Sequence, residues 1–88
     1  MPLTSLNTAS FDGEPFINGT NTLLIWSSDR GGNRDLWLAR RADATAAWGA
    51  AQPMSELNTA AEEGDAWLSP DERTIYFSRG TDIFMATR

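Results

Sequence analysis

Residues 24–38, LIWSSDRGGNRDLWL, decide the fold of this chain. Two apolar runs, Leu24–Trp26 and Leu36–Leu38, flank a polar stretch that contains two glycines, and this order predicts a β-hairpin. A shorter version of the same pattern, IYFSRGTDIFM, occurs at residues 75–85. Because a hairpin that recurs with its flanks is typical of repeat folds, the chain is predicted to contain two copies of one structural unit.

The two copies share a common register. The tetrapeptide LNTA stands at residues 6–9 and again 51 positions later, at 57–60. The same offset relates three strand positions to their counterparts: Phe16 to Trp67, Leu24 to Ile75 and Trp26 to Phe77. In the hairpin turn the second copy is shorter by four residues, so that Asp35 corresponds to Asp82 at an offset of 47.

Each copy is predicted to supply a similar set of strands. The first copy should form strands at residues 15–17, 22–28, 35–41 and 51–55, and the second at 66–68, 73–78 and 82–87. The second copy ends without a fourth strand. Its counterpart lies at the other end of the chain, because Pro2–Ser5 corresponds to Pro53–Glu56 in the fourth strand of the first copy.

The predicted inner strands are apolar at consecutive positions, as in Leu23–Trp26. Strict alternation would indicate one solvated face, whereas a continuous apolar run indicates a sheet that is covered on both faces. Four-stranded sheets stacked around an axis meet this condition, and that arrangement is a β-propeller.

Residues 69–78, SPDERTIYFS, followed by Asp82–Phe84, resemble the TolB-type (WD-like) β-propeller repeat. Residues 26–32, WSSDRGG, followed by Asp35–Trp37, resemble another common form of it. The chain departs from the pattern at Asn18–Thr20, where the family has Ser-Pro-Asp, and at Glu72, where it has Gly. The resemblance implies two propeller blades, in a family whose chains usually carry about six or seven.

The predicted fold class is therefore all-β, with two four-stranded blades per chain that close into a full propeller by cyclic homo-oligomerisation. Residues 6–56 form blade one, residues 57–88 form three strands of blade two, and residues 1–5 complete the last blade of a neighbouring chain. The predicted oligomer interface consists of Pro2, Leu3, Thr4, Ser5, Ile83, Phe84, Met85 and Ala86. Two blades alone would expose apolar faces and an open strand edge. Three copies would give the six blades common in the family. Rings of two or four copies, and a closed monomer of another all-β type, remain alternatives.

Composition excludes several functions. The 88 residues include no Cys and no His, so a disulfide, a thiolate metal site and the usual base of a Ser or Cys triad are absent. The net charge of −5 disfavours nucleic acid as a partner. No apolar run reaches the length of a membrane span, and no export signal opens the chain, although the family resemblance implies the bacterial envelope. No cofactor is predicted.

The predicted loops before the first strand of each blade, residues 7–14 and 58–65, are acidic. In a closed ring they would gather many carboxylates around one mouth, which could hold a cation or a basic peptide. The alternative is that these are solvated charges or local backbone caps. The candidate ligand-binding residues are Asp12, Glu14, Glu62, Glu63 and Asp65.

Two further patterns permit a binding role. Asp29, Asn33 and Asp35 share a loop with glycines, which permits a Ca²⁺ site, but arginines in the same loop favour a turn held by Asp–Arg contacts. Of the four tryptophans, Trp26, Trp37 and Trp67 are predicted to be core and Trp48, in a loop, is the candidate for stacking on a glycan.

No carboxylate is distinguished as a catalytic acid, so the chain is predicted to be no enzyme. The predicted function is a self-assembling scaffold for protein–protein contact, natural or engineered, and the alternative is a ligand-binding module.

Overall fold

The computed structural model describes residues 12–30, 32–55, 57–59 and 61–87. These residues form two antiparallel β-sheets, and the described part of the chain contains no helix. Sheet I has the strand order β1-β2-β3-β4, and sheet II has the order β5-β6-β7. The strands are β1 (Asp12–Ile17), β2 (Leu23–Ser28), β3 (Asp35–Arg40), β4 (Gln52–Pro53), β5 (Glu63–Leu68), β6 (Thr74–Arg79) and β7 (Asp82–Thr87).

The predicted hairpin is formed by β2 and β3, which pair without interruption from Leu23–Arg40 to Ser28–Asp35. β-Branched and aromatic residues favour these extended segments, and the polar residues between them reverse the chain. β4 is shorter than the predicted strand and lies at the sheet edge, where the missing N–H of Pro53 costs no ladder hydrogen bond.

The two sheets share an irregularity in strand pairing. In sheet I, Gly13 pairs with Ser27 and Phe16 with Ile25, and the register shifts between these two pairs. The corresponding pairs in sheet II, Gly64 with Ser78 and Trp67 with Tyr76, show the same shift.

Left-handed residues recur at the same offset of 51. Glu14 and Asp65 have φ of 53° and 49°, and Asn21 and Glu72 have φ of 63° and 61°. Non-glycine residues rarely adopt this conformation, so its recurrence at equivalent positions shows that both copies follow one backbone path.

The first strand of each sheet begins earlier than predicted. Asp12, Glu14, Glu63 and Asp65 were placed in loops, but all four lie within β1 or β5. The physical reason is the bulge, which holds Glu14 in β1 and Asp65 in β5 in the left-handed conformation. Strand pairing then continues beyond the bulge to Asp12–Ser28 and Glu63–Arg79.

One apolar cluster joins the two sheets. Its buried members come from β2, β3, β5 and β6 and from the segment after β4: Leu23, Ile25, Leu36, Met54, Ala66, Leu68, Ile75 and Phe77. A second cluster lies on the opposite face of sheet I, where Trp37, Trp48 and Ala51 pack against Leu24, Trp26 and Ala39. Sheet I is thus covered on both faces, as its continuous apolar strands predict, whereas sheet II is covered on one.

Replacing Gly64 by alanine should destabilise the chain. An added Cβ would overlap Oε1 of Glu14, which accepts hydrogen bonds from Ser27 and from the amide of Asp65. Displacing this carboxylate should lower the free energy of unfolding by about 1–3 kcal/mol, measured by urea titration. Gly19→Ala is the matched control, because a Cβ there meets no atom within 4 Å. Equal stability of the two variants would contradict the prediction.

Candidate functional site

Polar side chains at the interface between the two sheets form hydrogen bonds from one sheet to the other. At the centre lies Glu14, whose Oε1 accepts hydrogen bonds from Ser27 Oγ at 2.7 Å and from the Asp65 amide at 3.2 Å. Ser27 belongs to sheet I and Asp65 to sheet II, so one carboxylate oxygen connects the two sheets. This role is available because the left-handed conformation of Glu14 in the bulge is repeated at Asp65.

Glu63, at the start of β5, is completely buried. Its carboxylate accepts hydrogen bonds from the Thr59 amide at 3.1 Å, from Thr59 Oγ1 at 2.6 Å and from Arg79 Nε at 3.1 Å. Burial alone would raise the pKa of Glu63, but the bonds from Thr59, Asp35 and Arg79 outweigh it and lower that pKa. The fold therefore stabilises the charged form of Glu63.

The pKa of Asp35, at the start of β3, is shifted in the opposite direction. Burial, a hydrogen bond to Glu63 and the negative charges of Glu63 and Glu62 raise the pKa of Asp35. Two carboxyl groups can hydrogen-bond to each other only when one holds a proton, and the raised pKa makes Asp35 the member that takes up this proton as the pH falls. This carboxyl pair joins a strand of sheet I to a strand of sheet II.

Replacing Asp35 by asparagine should remove a pH dependence of stability. Because its folded pKa is raised above the ordinary 3.8, Asp35 stabilises the fold fully below that value, and the contribution is lost as pH rises through the folded pKa. Asparagine donates a hydrogen bond to Glu63 at any pH. The variant should therefore be more stable than the parent near neutrality, and the gap should close on acidification towards about pH 4.

Urea titrations at several pH values measure this effect. Asp82→Asn is the matched control, because Asp82 holds the equivalent position at the start of β7 and is exposed. A parallel pH profile for Asp35→Asn and the parent chain would refute the shared proton.

An acid–arginine–aromatic contact occurs once in each sheet. Arg30 Nη2 donates to Asp12 at 2.6 Å, and its guanidinium lies 5.5 Å and 4.9 Å from the ring centroids of Trp26 and Trp37. In sheet II, Arg79 bonds Glu63 and lies 5.3 Å and 4.5 Å from the rings of Phe77 and Phe84. Sequence reasoning missed this contact, although the equivalent acids Asp12 and Glu63 were available as a signal, together with an arginine at the end of β6 and another just after β2.

Asn58 forms a two-bond contact with the backbone of β3 in sheet I. Its Oδ1 accepts the Leu36 amide at 2.8 Å, and its Nδ2 donates to the Leu36 carbonyl at 3.0 Å. The adjacent Leu57 packs against the cluster that joins the sheets. Residues 57–59, in the second copy of the LNTA tetrapeptide, thus connect β3 of sheet I to the start of sheet II, which is a role that the sequence did not reveal.

The five predicted acidic residues converge near the beginnings of β1 and β5, but each takes part in a structural contact. Asp12 pairs with Arg30, Glu14 bonds Ser27 and Asp65, and Glu63 is buried. Glu62 accepts the Arg34 amide at 3.1 Å and lies 3.8 Å from Arg34 Nε. Asp65 donates its backbone amide to Glu14, and Asp65 is an exposed residue of β5. A ligand role for this set stays a prediction.

The glycine-containing loop also contributes to the sheet interface. Asn33 Nδ2 donates to the carbonyls of Thr59 and Ala61, at 3.2 Å and 3.1 Å, and to Asp35 at 3.3 Å. The arginines of the loop pair with acids in other segments, Arg30 with Asp12 and Arg34 with Glu62, and Arg30 also donates locally to Ser28 Oγ. Within the described ranges, no group of three or more acidic side chains is arranged to hold a metal ion.

Trp48, the candidate for glycan stacking, is half-buried. It packs against the second cluster of sheet I, and the Arg41 guanidinium lies 4.1 Å from its ring centroid. Arg41 also donates to the backbone carbonyls of Asn21 and Ala46. Trp48 therefore closes the loop between β3 and β4 over sheet I.

The outer face of sheet II is exposed, and we call the side chains of Trp67, Tyr76, Ile83 and Met85 the open face. Tyr76 is 42% exposed, whereas its counterpart Ile25 is 1% exposed. Ile83 is 81% exposed, whereas its counterpart Leu36 is fully buried. The prediction that Trp67 is a core residue is wrong for the single chain, because Trp67 is 47% exposed. Its ring contacts only the ring of Tyr76 among the described aromatic pairs, at 5.9 Å.

The predicted oligomer interface falls partly on β7. Ile83 and Met85 belong to the open face, Phe84 stacks on Phe77, and Ala86 packs against the cluster between the sheets. β7 is the edge strand of sheet II as described. The other predicted interface residues, Pro2–Ser5, lie outside the described residues.

Comparison with known proteins gives no relative: no family model, no curated protein and no solved structure matches the chain. The resemblance to TolB-type repeats thus stays a prediction from the sequence. The described residues also contain no helix long and apolar enough to cross a membrane.

Proposed function

We propose that this chain is a non-catalytic scaffold whose copies associate head to tail into a closed ring of β-sheets, with three copies and six blades as the favoured assembly. Each copy presents the open face of sheet II to sheet I of the next copy. The ring then serves protein–protein contact through the loops at its two ends. No catalytic group enters this proposal.

The observation that carries the proposal is the difference between equivalent faces. In sheet I, the side chains equivalent to the open face are Phe16, Ile25, Leu36 and Leu38, and all of them pack into the cluster between the sheets. In sheet II, the same positions of the same backbone path are exposed. Because the chain repeats its strands and register, the open face has the shape of a surface that receives another sheet.

Sheet I supplies a matching surface. Leu68 and Ile75 of sheet II are 7% exposed because they pack against sheet I. Their counterparts Ile17 and Leu24 lie on the far side of sheet I, where Ile17 is 46% exposed. The loop that contains Trp48 covers part of this side. On this side Leu24 is already buried in the single chain, so Ile17 is the apolar side chain left for a neighbouring copy. The open face and the far side of sheet I are different surfaces of one chain, so an association between them is heterologous and can close into a ring.

The energies favour association. Full burial of one large apolar side chain contributes about 1.5–3 kcal/mol, and the open face holds several such side chains. Exposed apolar patches of this kind, next to an open strand edge, are typical of interfaces in soluble proteins. A ring in which each open face meets the next copy covers these apolar side chains, and a propeller leaves only short strand edges.

Light scattering coupled to size-exclusion chromatography tests the proposal. The expected mass is three times the 9.7 kDa of the single chain, and it should persist on dilution into the micromolar range. A mass of two or four chains would change the number of blades and keep head-to-tail closure. A mass near 9.7 kDa at high concentration would refute the assembly.

A further inference from the structure

A cavity lies between the two sheets, at the end where β3 and β7 finish. Its volume is about 110 Å³. The wall is mostly apolar and comes from both sheets and from the segment after β4, with Leu38, Leu57, Ile75 and Ala86 among the lining residues. The backbone of sheet II approaches sheet I along β5 rather than along β6 or β7. The space between the outer strands is therefore left to side chains, which do not fill it.

Two arginines line this cavity, one from each sheet. Arg40 is the last residue of β3 and Arg73 lies in the turn before β6, and both residues are exposed. Among the described residues, neither guanidinium has an ion-pair or hydrogen-bond partner. Glu72 also lines the cavity, but its carboxylate accepts a hydrogen bond from Asn18 Nδ2 at 2.8 Å. The lining therefore carries more positive than negative charge, and the donors of both arginines are available.

We propose that this cavity binds a short aliphatic carboxylate, whose hydrocarbon chain lies between the sheets and whose carboxylate meets Arg40 and Arg73. Guanidinium groups bind carboxylates through paired, charge-assisted hydrogen bonds. An apolar cavity of roughly 150 Å³ accommodates the six carbons of benzene. The volume of about 110 Å³ therefore fits a chain of about five carbons, as in hexanoate.

A ligand with both parts is favoured because each part alone uses only half of the cavity. An inorganic anion would pair with the arginines and leave the apolar wall uncovered. A neutral hydrocarbon would cover the wall and leave the guanidinium donors without an acceptor. The cavity is formed within one chain, so this inference goes beyond the proposed ring and does not depend on it.

Titration of the full chain with hexanoate, followed by amide NMR signals, tests the proposal. The signals of Ile75 and Ala86 should shift and saturate, because both residues line the cavity. Affinity should increase about fourfold with each added methylene from butanoate to hexanoate, as the chain covers more of the wall. Acetate and hexylammonium should bind at least about tenfold more weakly than hexanoate. Signals of Ile75 and Ala86 that do not move at about 10 mM hexanoate would overturn the proposal.

Variants of the two arginines test how the carboxylate is recognised. Arg40→Gln and Arg73→Gln should each weaken hexanoate binding about two- to fivefold, and the double variant about tenfold, as expected for exposed ion pairs. Hexanol has no charge, so it should bind equally to the parent and the variants. Arg34→Gln is the matched control, because Arg34 precedes β3 at the opposite end of sheet I. Unchanged hexanoate binding in the double variant, or hexanol that binds as tightly as hexanoate, would overturn the site. The mass of the parent chain in solution is measured separately, so failure of the ring and failure of this site are distinguishable.

Discussion

Replacing Arg79 by methionine should remove about 3–5 kcal/mol of stability, the usual cost of breaking a buried ion pair from one side. Glu63 is fully buried, and the variant would leave its charge without the bond from Arg79 Nε. The bond from Arg79 to the Leu57 carbonyl, at 2.7 Å, would also be lost. Because small domains are stable by only about 5–15 kcal/mol, the urea midpoint should fall by a large fraction.

The pH dependence identifies the cause. The lowered pKa of Glu63 means that it stabilises the fold above its ordinary value of 4.5, and this contribution is lost as pH falls through the folded pKa. Removing Arg79 should raise the pKa of Glu63, so acidification should destabilise the variant less than the parent. Adding Glu63→Gln to the variant should restore part of the stability, because no unpaired charge then remains buried.

Arg73→Met is the control for the loss of an arginine, because Arg73 is an exposed residue in the turn before β6. It should change the free energy of unfolding by less than about 0.5 kcal/mol. Similar losses in Arg73→Met and Arg79→Met would show that general charge, rather than the pairing with Glu63, determines the effect.

Replacing Tyr76 by glutamate should dissociate the assembly. Tyr76 lies in the middle of the open face, between Trp67 on β5 and Met85 on β7. Covering a carboxylate there with a second sheet would cost several kcal/mol in addition to the lost apolar burial, which raises the dissociation constant about a hundredfold or more. The mass measured by light scattering should fall to that of the single chain, 9.7 kDa.

Gln52→Glu is the matched control, because it introduces the same charge at an exposed position of the edge strand β4. It should leave the mass unchanged. The far-UV spectrum of Tyr76→Glu should remain that of a β-sheet protein, since Tyr76 is already 42% exposed in the single chain. An assembly that survives Tyr76→Glu would show that copies associate through another surface.

Local pattern was sufficient to predict the strands and their repetition. The hairpin of β2 and β3 follows from apolar runs on either side of a polar turn, and β7 was predicted with the bounds that the structure shows, Asp82–Thr87. The first strands were predicted too short, because a bulge with Glu14 or Asp65 in the left-handed region reads as a loop in a linear pattern. The all-β fold is confirmed, and the described residues form two antiparallel sheets of four and three strands.

The candidate site could be predicted only in part. The acidic residues were recognised as a group, but their partners are distant in sequence: Glu14 meets Asp65, and Glu63 meets Arg79 and Asp35. The identity of LNTA in both copies was visible, whereas its use as a contact with Leu36 was not. Pairs of this kind depend on how two sheets pack, which no short window of residues encodes.

The order of residues determined where this chain extends, where it turns and that it does so twice in one register, since these properties depend on neighbours along the chain. Packing of one sheet on the other decided which equivalent side chains are covered. Ile25 and Tyr76 occupy the same place in the repeat, yet Ile25 is 1% exposed and Tyr76 is 42% exposed. The physical reason is that burial is a property of what lies opposite a face, and none of the described strands forms a sheet opposite the outer face of sheet II.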